Sequence, residues 1–336
     1  MTSPARSAAA PRPRSCPPPS PSGRLVRRRR GARAAAASPS HAPTQSDAAH
    51  SKAAVSCSRR GARTAPAGGR QPRDGVPVST SSPTPERLLA ALAPRLDGRD
   101  VLDLRVGLLY AAARLSDGRT GVAHLLADRG GPCRSLPRAG SLAGTPARDL
   151  AEWLLSRDTA RASVGLAVLN AAAPAPRESI EADVRALVRI SGGDRVAMVG
   201  YFAPLLPWLR EAGAGVDILE LRPLPGTRDA HEAAAVLPAC DIALVTATAL
   251  INHTLDDLLA LAVRAREVIL LGPSTPMVPE IFAGTPVTML AGVEVTDSER
   301  MLKLVSEGAS TREFGDAVRK VCLRLAASPG QADPAA

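Results

Sequence analysis

Apolar and polar positions alternate with two different periods along this chain, and the change of period divides it. From residue 84, Leu88, Leu89, Leu92 and Leu96 recur at helical spacing, and Thr84 followed by Pro85 reads as an N-cap and first turn. Residues 101–113 then alternate. Leu102, Leu104, Val106 and Leu108 fall on one side, with Asp103 and Arg105 on the other, the pattern of a half-buried strand. Asp117-Gly118 is a hairpin signal, and 121–127 reads as the returning strand. Two helices follow. One starts at Thr145-Pro146 and presents Leu150, Trp153 and Leu154; the other spans about 159–172. The expectation is a small α+β domain over 83–173.

Pro174 and Pro176 mark a joint, and 180–188 has a helical pattern suited to a connector, placed at 174–194. Beyond it, short apolar runs alternate with helical segments. Strands are expected at 195–199, 216–221, 241–245, 267–271, 287–291 and 319–325. Helices are expected at 205–212, 255–264 and 298–307. Such alternation implies a parallel or mostly parallel sheet with helices on both faces, an α/β domain over 195–327. In sheets of this kind ligands bind at the carboxyl ends of the strands, so the polar clusters there are the candidate chemistry.

Composition changes the picture mainly at the N-terminus. Residues 1–82 hold 15 of the 42 Lys and Arg against only Asp47 and Asp74, a net charge of +13, while the remainder has a net of −3. The sequence pI near 10.3 is therefore a property of the tail and argues no nucleic-acid role for the rest. The tail is rich in Ala, Pro, Ser, Gly and Arg and reads as disordered, as do 328–336. Its one sharp motif is the basic tetrad Arg27, Arg28, Arg29 and Arg30. That tetrad is a solvated arm, a product of an early start codon, or the one place for a nucleic-acid partner. There is no run of 18 apolar residues and no signal peptide, so no membrane role is expected. Five scattered cysteines without a CxxC fit a reducing cytoplasm. Only seven residues are aromatic, too few for base stacking.

At the end of the first α/β strand stand Val199, Gly200, Tyr201 and Phe202 where a dinucleotide fold would carry G-x-G-x-x-G. No dinucleotide is expected. Gly200 permits a tight turn, and Tyr201 either lies over a ligand or caps the sheet with Phe202. Glu220 ends the second strand and is either a ligand acceptor or the partner of Arg222 in a surface ion pair. In the cluster 246–254, Thr254 and Asp257 fit a capping box, which leaves Thr246, Thr248 and Asn252 unexplained by capping. Asn252 suits a ligand edge or a loop-locking bond. In the cluster 272–276, Gly272, Ser274 and Thr275 offer hydroxyls and backbone N–H groups, and Ser274 or Thr275 can cap a following helix. His124, Cys133 and His253 are the weak metal candidates; no three- or four-ligand zinc spacing is present.

Taken in order, Gly165-Leu-Ala-Val-Leu-Asn-Ala171, Val199-Gly-Tyr-Phe202, Leu219-Glu-Leu-Arg-Pro223, the cluster 246–254, Gly272-Pro-Ser-Thr-Pro276 and Arg319-Lys-Val321 resemble a bacterial and archaeal heavy-metal chelation family. Its members carry a domain of unknown function 364 preceded by one numbered 4213. The resemblance covers roughly 84–327. It implies an enolase-N-terminal-like α+β domain followed by a Rossmann-like domain, with a site in the cleft between them. The implied ligand-binding positions are Asn170, Gly200, Tyr201, Glu220, Thr246, Asn252, Thr254, Gly272, Ser274 and Thr275. These are mostly neutral oxygen and amide groups. They suit a small polar or metal-chelating ligand, or a divalent transition metal already inside a chelate, better than a bare soft ion. The expectation is a cytoplasmic metal-homeostasis or ligand-binding protein, with homo-oligomers left open. The alternative is a lyase or transferase acting on a tetrapyrrole-like or amino-acid-derived substrate, with Glu220 as general acid or base.

Overall fold

The computed structural model describes residues 82–126, 135–175 and 178–326. Cys133, the basic tetrad and the rest of the N-terminal segment up to residue 81 lie outside the described residues. The helical spacing after residue 84 becomes α1 (Thr84–Leu96), which buries Leu88, Leu92 and Leu96. Thr84 does not cap it. Pro83 occupies the N-cap position. Thr84 is fully buried, and both its backbone N–H, at 2.9 Å, and its hydroxyl donate to the Asp256 carboxylate. A tertiary partner has taken the hydroxyl that local sequence assigns to the helix end.

The alternating stretch 101–113 is two strands, not one. β1 (Val101–Val106) turns at residues 107–109 into β2 (Tyr110–Leu115), and β3 (Thr120–His124) returns after the Asp117-Gly118 turn. Together they form an antiparallel sheet in the order β1-β2-β3. Leu102, Val106 and Leu108 are exposed, whereas Val101 is fully buried. The pairing shifts between Val101 and Asp103, an irregularity of the kind that leaves an extra residue unpaired and resets which side chains face inward. α2 (Ala147–Ala151) and α3 (Thr159–Ala172) follow, the latter capped by Asp158, whose carboxylate accepts from the N–H groups of Ala160 and Arg161. α3 is apolar on nearly every side, so it must be covered all round. It packs on β2 and β3. A Cβ at Gly121 of β3 would stand 2.1 Å from the Ala171 nitrogen, so only glycine admits this contact.

The remaining elements are β4 (Ile180–Glu181), β5 (Arg195–Val199), α4 (Leu206–Glu211), β6 (Gly215–Glu220), β7 (Arg228–Asp229), α5 (Ala233–Val236), β8 (Ile242–Thr246), α6 (Leu255–Leu261), β9 (Glu267–Leu271), β10 (Met289–Val295), α7 (Ser298–Ser306) and β11 (Val318–Arg324). They build an eight-stranded sheet in the order β4-β11-β10-β9-β8-β5-β6-β7. Pairing is parallel from β10 through β7, and antiparallel where β11 meets β10 and β4. The central strands are continuous apolar runs, as burial on both faces requires. The connector 180–188 is not helical. Ile180 and Glu181 pair with β11, and Asp183 caps a single 3-10 turn at Val184–Ala186. α5, whose run of alanines carries no periodic signal, and the two-residue β7 were not expected.

The two halves of the sequence share one core. Leu88, Leu92, Leu166 and Leu169 belong to the same apolar cluster as Val199, Val245, Leu250, Leu270 and Phe282. α7 meanwhile packs on β1 and β2, joining Met301, Leu302 and Val305 to Ala112 and Val122. The small sheet is thus held between α3 from its own half and α7 from the other. No described helix is long and apolar enough to cross a membrane.

Candidate functional site

A cleft of about 1370 Å³ lies at the carboxyl ends of β5, β6, β8 and β9, where a parallel sheet gathers its loops. One wall comes from those loops and includes Gly200, Tyr201, Glu220, Thr246, Thr248, Asn252, Thr254, Gly272 and Ser274. The facing wall comes from the small sheet, through Leu108, Tyr110 and His124, and from the start of α3, through Arg157, Asp158 and Thr159. Of the ten sequence-indicated ligand positions, Asn170 and Thr275 do not line the cleft.

Gly200 takes φ +89, and a Cβ there would come within 3.0 Å of the Thr246 side chain. Glycine is needed for both reasons. The turn exposes Tyr201 while Phe202 packs on the core. It also aims the Tyr201 N–H at Glu220, whose Oε1 accepts it at 2.6 Å. No ion pair joins Glu220 to Arg222 among the described residues; the backbone of the neighbouring turn is the partner instead. Oε2 of Glu220 has no hydrogen-bond partner among the described residues. Thr246 caps the short turn after β8 through its Oγ1, which accepts from Thr248 N–H at 3.3 Å; the two hydroxyls lie 2.9 Å apart.

Thr254 makes no capping box with Asp257. Its hydroxyl donates to Asn252 Oδ1 at 2.8 Å and its N–H to the same oxygen at 3.3 Å. Because Oδ1 must face those donors, the Asn252 amide orientation is fixed, and its Nδ2 remains open. His253, in the left-handed region at φ +59, donates from Nε2 to the Ser156 carbonyl at 3.0 Å and does not line the cleft.

The second cluster is spent on architecture. Ser274 and Thr275 are 2% and 3% exposed. Ser274 Oγ accepts from the His124 backbone N–H at 2.8 Å, and Thr275 Oγ1 donates to the Ala291 carbonyl at 3.2 Å. Neither caps a helix. Asn170 Nδ2 donates to the carbonyls of Val122, at 2.9 Å, and Ser274, at 3.3 Å. These bonds tie α3, β3 and the 272–276 turn together behind the cleft.

The donor set does not suit a bare metal ion. Among the described residues no three of His, Cys, Asp and Glu converge. His124 is the half-buried imidazole of the cleft; its burial pushes its pKa down, so it is neutral at pH 7. Its ring meets Tyr110 edge-on at 5.4 Å, and its buried Nδ1 has no partner among the described residues. Burial raises the Tyr110 phenol to about 12 and the Cys322 thiol to about 11, so both stay protonated. Asp183 is raised by burial, but hydrogen bonds from Arg185 and Lys320 outweigh that and hold it far below the usual carboxylate range. Asp158 is committed to its helix cap. A thiolate or carboxylate cluster of the kind that holds zinc is not assembled from these groups.

Two adjacent family models match the chain, one over residues 183–324 and one over 89–173, and both carry the description "Putative heavy-metal chelation". A crystal structure of a protein of unknown function from the domain of unknown function 364 family, from Desulfitobacterium hafniense, is 26% identical. It covers 71% of this chain and 98% of its own, with a TM-score of 0.57. A second, from Pyrococcus horikoshii, is 24% identical, covers 72% and 100%, and has a TM-score of 0.62; it supports the fold alone. An uncharacterized protein from Methanocaldococcus jannaschii is 29% identical over 136 residues, 39% of this chain. The chain spans about half the length of that curated relative, 52%.

Proposed function

Because the chain belongs to this two-model heavy-metal chelation family, we propose that it handles metal through a small organic ligand bound in the cleft, and does not chelate the ion with its own side chains. One observation carries this reading: a cleft of about 1370 Å³ in which no three metal-ligating side chains of the described residues converge. Organic ligands occupy pockets of roughly 300–1,000 Å³, whereas an ion needs only its coordination sphere. The residues that would meet such a ligand are Tyr201, Glu220, Thr248 and Asn252 from the strand-end loops, and His124 from the small sheet.

Metal analysis and native mass spectrometry of the purified full chain test this. A metal and an organic mass are expected to co-purify in fixed ratio and to be lost together in Thr248→Trp, which places an indole among the strand-end residues of the cleft. Metal retained by Thr248→Trp, with its circular dichroism unchanged, would rule the cleft out.

A second reading rests on Glu220. Its carboxylate is anchored by the Tyr201 N–H at one oxygen and lines the cleft, a placement compatible with general acid or base work in a lyase or transferase. Turnover that persists undiminished in Glu220→Gln would remove that role.

A further inference from the structure

The cleft carries charge that the fold leaves unpaired. Five cationic side chains line it. Arg185 and Lys320 are both committed to Asp183. Arg157, Arg222 and Arg312 make no side-chain hydrogen bond or ion pair among the described residues, Arg312 feeling only the charge of its neighbour Glu313, and they come from three separate segments: the turn before α3, the end of β6 and the loop before β11. Elsewhere many arginines are matched to an acid, as Arg266 is to Asp194 at 2.7 Å and Arg324 to Glu267 at 2.8 Å.

The acids of the cleft are more fully used. Asp158 caps α3 and Asp183 holds two cations. Glu220 gives one oxygen to Tyr201 N–H. Only Asp257 and the second oxygen of Glu220 are left. Asn252 adds to the donor side, because Thr254 consumes its Oδ1 twice and leaves Nδ2–H facing outward. Three guanidiniums and an amide donor are a carboxylate-reading set, since guanidinium matches the planar carboxylate with paired N–H groups. Exposed Tyr201, Leu221 and Leu108 on the lining supply apolar surface for an organic skeleton.

We infer that the cleft selects an anionic chelate, a metal held by a carboxylate-bearing organic molecule, through Arg157, Arg222, Arg312 and the Asn252 amide. This rests on the cleft reading above and adds the charge and chemical class of the ligand. The sign of the effect separates it from binding of a bare cation. Guanidiniums repel a free divalent ion, so removing them strengthens its binding; they attract a carboxylate-rich chelate, so removing them weakens it.

The experiment is isothermal titration of the full chain with nickel chloride, nickel citrate and nickel nitrilotriacetate. The chains compared are the wild type, Arg157→Gln, Arg222→Gln, Arg312→Gln and the triple variant. A control triple, Arg189→Gln, Arg210→Gln and Arg264→Gln, removes the same charge from exposed arginines that do not line the cleft. At least one chelate is expected to bind more tightly than nickel chloride. Each single change should weaken it about tenfold and the cleft triple at least about hundredfold, with the control triple within about threefold. Affinity should also fall as salt rises. Binding that survives the cleft triple but disappears in Thr248→Trp overturns the anionic reading and leaves the cleft standing. Binding that survives Thr248→Trp removes the cleft itself. Tighter binding of either chelate by the cleft triple, or no binding of either chelate to the wild type, also overturns the inference.

Discussion

Two polar clusters at neighbouring strand ends, 246–254 after β8 and 272–276 after β9, look alike in composition and behave differently in the fold. In 272–276 both hydroxyls are buried and bonded. In 246–254 the groups bond mainly to one another, and doing so leaves the Asn252 amide nitrogen open to the cleft. The difference teaches that a hydroxyl-rich loop at a ligand-binding edge has two uses. It either fixes the wall or faces the ligand, and what decides is whether a second element lies close enough to take its hydrogen bonds. β3 and β10 do that for 272–276; among the described residues no element covers the open side of 246–254.

Ser274→Ala should have the largest effect of the changes considered for this contrast. It removes the acceptor for a partly buried backbone N–H at His124, and an unsatisfied buried donor costs about 1–3 kcal/mol. Urea unfolding of the full chain should show an unfolding free energy lower by that amount, read as a lower midpoint with an unchanged m-value. A midpoint equal to wild type would mean that 272–276 is no more structural than 246–254, and the contrast would collapse.

His124 tests the wall from the facing side. Its folded pKa lies below the ordinary histidine value of 6.5 because burial disfavours the imidazolium. Above that value neither the folded nor the unfolded chain binds the proton, and stability is unaffected. As pH falls below about 6.5 the unfolded chain is protonated first, so stability declines, by at most about 1.4 kcal/mol per pH unit for one proton, until the depressed folded pKa is reached. Urea midpoints at pH 7.5, 6.5 and 5.5 should show that decline in the wild type and a shallower one in His124→Gln. Parallel curves for the two chains would place the imidazole in water and not in the wall.

Local pattern was enough where burial alone decides an element. β5 and β9 are short apolar runs bounded by polar residues, and α3 is a long apolar segment opened by Asp158, so their limits are readable without tertiary information. Polar side chains are another matter, because their partners are distant. Ser274 is bonded to a residue 150 positions away, and Thr84 to one 172 positions away, so each looked like a helix cap in isolation. Thr254 with Asp257 fits a capping box on paper, but Asn252, two residues upstream, presents a competing acceptor that only the folded loop brings round. Arg157 and Arg312 went unremarked, and Arg222 entered only as a partner for Glu220, for the same reason: that a charge lacks a partner is a property of the fold, and no spacing rule encodes it. The heavy-metal family resemblance was legible from the order of the motifs, while the assignment of Asn170 and Thr275 to a ligand wall was not supported by their place behind the cleft.

Glu220→Gln should have the smallest effect on stability and bears most directly on 246–254 and its neighbours as the ligand-facing wall. The glutamine amide oxygen can still accept the Tyr201 N–H that Glu220 Oε1 takes at 2.6 Å, and the side chain is only half-buried, so unfolding free energy should change by less than about 0.5 kcal/mol. What the substitution removes is a negative charge. If the cleft holds an anionic chelate, losing that charge relieves repulsion toward its carboxylates, and affinity for nickel citrate or nickel nitrilotriacetate should rise by a few-fold, opposite in sign to the arginine changes. If Glu220 instead completes the coordination of the metal within the chelate, affinity should fall, and the fall should be largest for nitrilotriacetate, which leaves coordination positions free. A variant as stable as wild type makes either result a statement about charge at the cleft, and an unchanged affinity for both chelates would place Glu220 with Ser274 on the structural side of the comparison.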